Sequence, residues 1–178
     1  MLIHTGAITH ISDWDVVIRL VLVTVLSGIV GAEREYHHKP AGLRTNVMVG
    51  LGSAIFTMAG IRAIDMFPTI TSIDPTRIAA QIVTGIGFLG AGTILFEKDR
   101  SSVIGLTTAA TLWVVSGIGL TVGMGLYLEG ILGTLLVFFT FLVLSRVVER
   151  VRKVAVDHDH PDTVAEKAGD VSSRLGER

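Results

Sequence analysis

The chain contains no cysteine, which excludes disulfides, thiolate chemistry and Cys-based metal sites and leaves the redox compartment unread. Charge is scarce too: Asp, Glu, Lys and Arg make up 17% of the 178 residues, against roughly a quarter in an average soluble domain. The formal net charge of −1 offers no global attraction to nucleic acid. There are four prolines against twenty glycines, a balance that suits closely packed membrane helices. No phosphate loop, no H-E-x-x-H string and no nucleophile with a base and an orienter is present, so nothing supports an enzyme. No basic leader with a small-residue cleavage site precedes the first apolar run, so that run is expected to be a retained helix. No Asp or Glu falls in the middle of any apolar run, the place where cation carriers put carboxylates.

What the chain does contain is long apolar stretches. Hydrophobic residues make up 49% and the mean hydropathy is +0.61. A hydrocarbon core of ~30 Å needs roughly 20 helical residues, and several runs meet that length. Strand-like alternation is absent, so the runs are helices and no barrel is indicated. The expected fold is an all-α, polytopic membrane bundle of about five transmembrane helices. These cover about Trp14–Ala32, Leu43 or Thr45–Ile61, Pro75–Phe96, Val103–Val122 and Leu126–Val147. Glu33 to Pro40 and Glu97 to Arg100 are charged links. Asp74-Pro75 places an N-cap and a first helical proline at the start of the third helix. Gly123-Met124-Gly125 reads as a tight turn. Residues 1–148 form the transmembrane domain; residues 149–178 form a polar tail too short for its own core, continuing briefly as helix and then partly disordered.

Lys and Arg set the expected orientation. Nine of them (Arg34, Lys39, Arg44, Lys98, Arg100, Arg146, Arg150, Arg152 and Lys153) flank the links after the first, third and fifth helices. The other side has Arg62 and Arg77. The N-terminus is therefore expected outside and the C-terminus in the cytoplasm. A weak internal repeat is visible: Gly42-Leu43-Arg44-Thr45 and Gly105-Leu106-Thr107-Thr108 each open a helix, with Ser53 and Ser116 at matching distances. It would make two parallel hairpins.

Gly85-Ile86-Gly87-Phe88-Leu89-Gly90 is formally a dinucleotide fingerprint. It lies inside an apolar span, and Ala109-Ala110 stands where the ribose-binding acid belongs, so it is a false match. Together with Ala91 and Gly92 it reads as a close-packing face, as do Ser27, Gly28, Gly31, Ala32, Gly50 and Ala54. Gln81, one turn after Arg77, is the polar residue at membrane depth that stands either as a functional group or as an interhelical hydrogen bond. Arg19 is expected to snorkel outward or pair with Asp15, and Thr107, Thr108 and Thr111 to bond back to their own helix. Glu33 and Glu35 could present oxygens to a hydrated Mg²⁺. A solvated charge cluster setting topology is the reading taken, and Asp157-His158-Asp159-His160 is read as a solvated tail.

Several strings together resemble the MgtC/SapB family of bacterial membrane proteins. They are Gly31-Ala32-Glu33-Arg34, Ala41-Gly42-Leu43-Arg44-Thr45, Arg77 to Val83 including Gln81, Gly85 to Gly92 including Gly87 and Gly90, and Gly105 to Trp113 including Thr107 and Thr108. They occur in the family's order over about Asp15 to Phe141. The resemblance implies a cytoplasmic-membrane protein tied to growth in low magnesium and, in pathogens, to survival inside host cells. The family was long labelled a magnesium-transport family, while its members look like regulators of other membrane machinery, ATP synthase included. Two departures matter. Longer members carry a soluble C-terminal domain that this tail does not supply, and virulence-type members tend to have Asn where Thr107 stands. The expected function is a non-enzymatic regulator that self-associates through glycine-rich faces and binds membrane partners such as ATP synthase or transporters, with no cofactor, resident metal or nucleic acid. A direct ion transporter or channel is the alternative.

Overall fold

A computed structural model describes residues 11–66, 74, 76–97 and 102–158. Five helices and one small hairpin follow in order: α1 (Asp13–Tyr36), α2 (Leu43–Met66), α3 (Thr76–Gly92), β1 (Leu95–Glu97), β2 (Ser102–Ile104), α4 (Leu106–Met124) and α5 (Tyr127–His158). By length and composition α1, α2 over Leu43–Ile64 and α4 can each cross a membrane, and α5 is apolar over Tyr127–Val143. With 17 residues, α3 rises ~26 Å, close to the thickness of a hydrocarbon core. The described residues form two compact units, one ending at Phe138 and one beginning at Phe139. The first holds α1 to α4, the hairpin and the start of α5; the second, where described, is helix.

The termini of the helices follow local chemistry. Ser12 opens α1 with a capping box, its hydroxyl accepting from the Asp15 N–H while the Asp15 carboxylate accepts from the Ser12 N–H. Asp74 caps α3 as expected: its Oδ1 accepts from the Thr76 N–H at 2.9 Å and the Thr76 hydroxyl at 2.7 Å. Those bonds hold the Asp74 carboxyl below its ordinary range, the hydroxyl contributing most and the N–H next. Pro75 lies outside the described residues.

Several expected boundaries shift. Helix α1 continues through the charged Glu33–Tyr36 turn and α2 through Arg62 to Met66, because polar residues at the membrane edge leave an already nucleated helix intact. The third helix ends at Gly92 and the fourth begins at Leu106, so Leu95–Phe96 and Val103 belong to an antiparallel hairpin that pairs Leu95 with Ile104 and Glu97 with Ser102. Gly105 enforces that break. At φ +92° it takes a conformation that side chains resist, and a Cβ there would strike the Thr93 carbonyl. The expected turn at Gly123–Gly125 narrows to Gly125. Here φ is +86°, and the N–H groups of Gly125 and Leu126 return to the carbonyls of Val122 and Thr121. Gly123 remains inside α4.

Packing centres on α1, α2 and α4. A Cβ on Gly31 would lie 2.8 Å from the Leu43 Cα, one on Gly50 2.9 Å from Ser27, and one on Gly123 3.0 Å from Ala54. Gly119 faces the Gly50 carbonyl even more closely. These contacts pair α1 antiparallel with α2, and α2 parallel with α4. The parallel pairing is the one the weak repeat implies, and the repeat's two serines meet: Ser53 Oγ and Ser116 Oγ are 3.0 Å apart in the interior. Val23, Leu26, Ala54, Met58, Ile118 and Val122 form the apolar core around them.

Candidate functional site

The α1–α2 link holds the first group of motif residues. Arg34 and Glu33 form an ion pair through the guanidinium Nη2 and Nε, and their side chains are only 7% and 9% exposed. His37 adds a contact from Nδ1 to Glu33 Oε1 at 3.1 Å. Glu35 does different work, its Oε2 accepting from the Leu43 N–H at 3.0 Å at the start of α2. Gly42 leaves room for that bond, because a Cβ there would displace the Glu35 carboxylate. The expectation of a solvated charge cluster is thus corrected: Glu33 and Arg34 are largely buried, since a guanidinium and a carboxylate that neutralise one another can leave water where neither could alone. The two carboxylates that could have shared a cation are committed to separate partners. Arg44 and Thr45 stay exposed on the first turn of α2.

Sequence reasoning overlooked Asn46. It is fully buried, and its Nδ2 donates to the carbonyls of Ala41 and Gly42 at 2.9 and 2.8 Å, fastening the link beneath the Glu33–Arg34 pair. Its Oδ1 has no hydrogen-bond partner among the described residues. The available signal was an amide one turn inside an apolar run.

Arg19 neither snorkels nor relies on Asp15. It is 8% exposed, donates from Nη1 to the Gly123 carbonyl at 2.7 Å and reaches the Tyr127 hydroxyl from Nε at 3.4 Å. A guanidinium thereby satisfies a carbonyl in the last turn of α4, where helix ends carry partial negative charge. The partner is more than a hundred residues away in sequence, which is why spacing could not reveal it.

The third group lines a cleft of about 890 Å³ between α2 and α3, floored by Ser53 and Ser116. Arg77 and Gln81 stand on its α3 wall and Thr45 at the far end of its α2 wall. Ile78 packs against Gly60 at one end, and Val49 beside Ile86 and Leu112 at the other. Gly85 lines the same wall, and a Cβ on Gly85, or on Gly52 opposite, would meet no atom of the described residues within 4 Å. The glycine face of α3 therefore does not pack as expected. Gly90 approaches Ala109 on α4, with its Cβ position 3.6 Å from the Ala109 Cβ, whereas Gly85, Gly87 and Gly92 face open space. Phe88 beside them is 82% exposed. On α4, Thr108 is buried, Thr111 bonds back to the Thr107 carbonyl at 2.7 Å as expected, and Trp113 is exposed. The structure thus distributes the motif residues over two places, the α1–α2 link and the α2–α3 cleft, with Thr107, Thr108 and Trp113 on α4 apart from both.

Among the described residues no three His, Asp or Glu side chains converge as a metal-ion cage. Asp157 and His158 end α5, and Asp159 and His160 lie outside the described residues.

Comparison with known proteins matches these same elements. The chain is 43% identical over 137 residues to the "Putative magnesium transporter YhiD" of Escherichia coli K12, covering 74% of this chain and 60% of that protein. It is 37% identical over 141 residues to "Protein SapB" of Bacillus subtilis 168, covering 78% and 60%. To "Protein MgtC" of Salmonella typhimurium LT2 it is 36% identical over 140 residues, covering 79% and 57%. The chain thus spans about three-fifths of the length of these relatives. No solved structure matches it. The model of the MgtC family matches residues 20–150, from within α1 through the hairpin and into α5, and the chain belongs to the MgtC family of membrane proteins.

Proposed function

We propose that this chain is a non-enzymatic protein of the cytoplasmic membrane that serves adaptation to low magnesium by acting on other membrane machinery, without carrying the ion itself. One observation supports this most: the charged side chain lining the α2–α3 cleft is Arg77, and no carboxylate among the described residues lines it. Mg²⁺ gives up its water reluctantly and is typically held through one or two carboxylates while keeping several waters. A guanidinium at the mouth repels a divalent cation, and Gln81 cannot compensate its charge. The magnesium connection comes from the relatives' names, and partners such as ATP synthase or a transporter from the family resemblance. The open positions at Gly87 and Gly92, outside the cleft, suit self-association or a partner helix. The N-terminus is outside and the C-terminus cytoplasmic by the Lys and Arg distribution.

The name of the Escherichia coli relative favours a second reading, direct transport, through a route formed between copies. One experiment separates the two. Purified protein in liposomes should show no Mg²⁺ flux above empty vesicles, while deletion of the gene impairs growth in low magnesium. Gln81→Leu should lose that growth function with little change in membrane insertion. Saturable Mg²⁺ uptake by the pure protein, abolished by Gln81→Leu, would establish transport instead.

A further inference from the structure

The geometry of the α2–α3 cleft points to a bound anionic phospholipid, its phosphate on Arg77 and one leaflet's depth of acyl chain along α3. Charge complementarity comes first. Arg77 is exposed and lines the cleft end near the start of α3, and no described acidic side chain lines the cleft with it. A guanidinium offers two parallel donors to a phosphate. Gln81 follows one turn later, ~6 Å deeper at the rise of an α-helix, where its amide N–H₂ can donate to a glycerol ester carbonyl. Below it the wall is Ile82, Gly85, Ile86 and Leu89, facing Phe56 and Gly52. That order, cation, then amide, then hydrocarbon, is the order of a phospholipid's own groups.

Size agrees. The stretch from Arg77 to Leu89 rises ~18 Å, which matches half of a ~30 Å hydrocarbon core plus the start of the headgroup layer. The cleft holds about 890 Å³. Below Gln81 its walls are almost wholly apolar, a lining that suits flexible acyl chains. Gly52 and Gly85 keep the middle open, since each faces vacant space where any larger side chain would intrude.

The full chain, delipidated in detergent, would be incubated with phosphatidylglycerol and phosphatidylethanolamine carrying the same acyl chains, and retained lipid read by native mass spectrometry. Wild type should retain one phosphatidylglycerol with about a fivefold preference, the scale of one basic residue acting on an anionic headgroup. Arg77→Gln should bring the ratio near unity while keeping some lipid. Gly85→Leu and Gly52→Leu, on opposite walls, should each lose both lipids while circular dichroism stays helical. Equal retention of the two lipids by wild type, or unchanged retention in both Leu variants, would overturn the assignment. Lipid-free dimers that either Leu variant dissociates would overturn it too, and would assign the cleft to a second copy. None of these outcomes depends on Mg²⁺ flux, so the assignment can fail without the regulator reading failing, and the reverse.

Discussion

Arg19 shows how much a single side chain can carry at membrane depth. An unpaired guanidinium in a span is costly, yet this one is held by the Gly123 carbonyl and the Tyr127 hydroxyl and packs over Gly125. It ties the start of α1 to the α4–α5 turn. Arg19→Ala should therefore lower stability by about 1.5–3 kcal/mol, the range for a hydrogen bond from a charged group, read as a drop in the unfolding midpoint in detergent. Arg19→Lys should recover part of it, because a point charge reaches one carbonyl but loses the fork. A variant as stable as wild type would show that the contact contributes nothing. The buried Glu33–Arg34 pair makes the same point at the other end of α1: each charge is tolerable because the other is there.

At the scale of elements, the same residue type does opposite jobs on neighbouring helices. Gly119 on α4 lies so close to the Gly50 carbonyl and Ser53 that α2 and α4 meet nearly backbone to backbone, whereas Gly87 on α3 faces nothing. Gly119→Leu should force the helices apart and cost at least 1–3 kcal/mol, as overpacking does. Gly87→Leu should stay within about 0.5 kcal/mol of wild type, as surface changes do. Thermal unfolding of the two variants side by side checks this, and equal losses would mean that α3 is as tightly covered as α4. The hairpin between α3 and α4 belongs here too. Its strands are three residues each, too short for any alternation pattern, and Leu95 and Val103 extend the apolar runs on either side. The sequence therefore reads as helix up to Phe96 and again from Val103, until the strand pairing and the left-handed Gly105 are seen to shorten both helices.

For the molecule as a whole, the contacts fix which ends lie together. Arg62 near the end of α2 reaches the Ile11 carbonyl and Asp13 at the start of α1, and Arg19 reaches the end of α4, so the start of α1 shares a side with the ends of α2 and α4. The links after α1 and α3 lie opposite. Which side faces the cytoplasm rests on the nine Lys and Arg against two. Reporters fused after Pro40, Arg100 and Arg152 should read cytoplasmic, and those near Thr71 and Gly125 outside. A cytoplasmic signal near Thr71 would sink that orientation. Much of this level was legible in the chain itself: the membrane environment, five helices, the family, and the parallel relation of α2 and α4 through the Gly-Leu repeat. Each follows from apolar run length or local motif, because a bilayer leaves the backbone almost no choice but helix and a motif is contiguous in sequence. The tertiary structure alone decided which glycines touch a neighbour, that Arg19 serves α4, that Glu33 and Glu35 part company, and that Arg77 and Gln81 share a cleft with Gly52. All of these depend on how helices rotate against one another. In lipid that rotation is set by shape and by satisfied polar groups, so the hydrophobic pattern that marks the spans carries no record of which face turns inward.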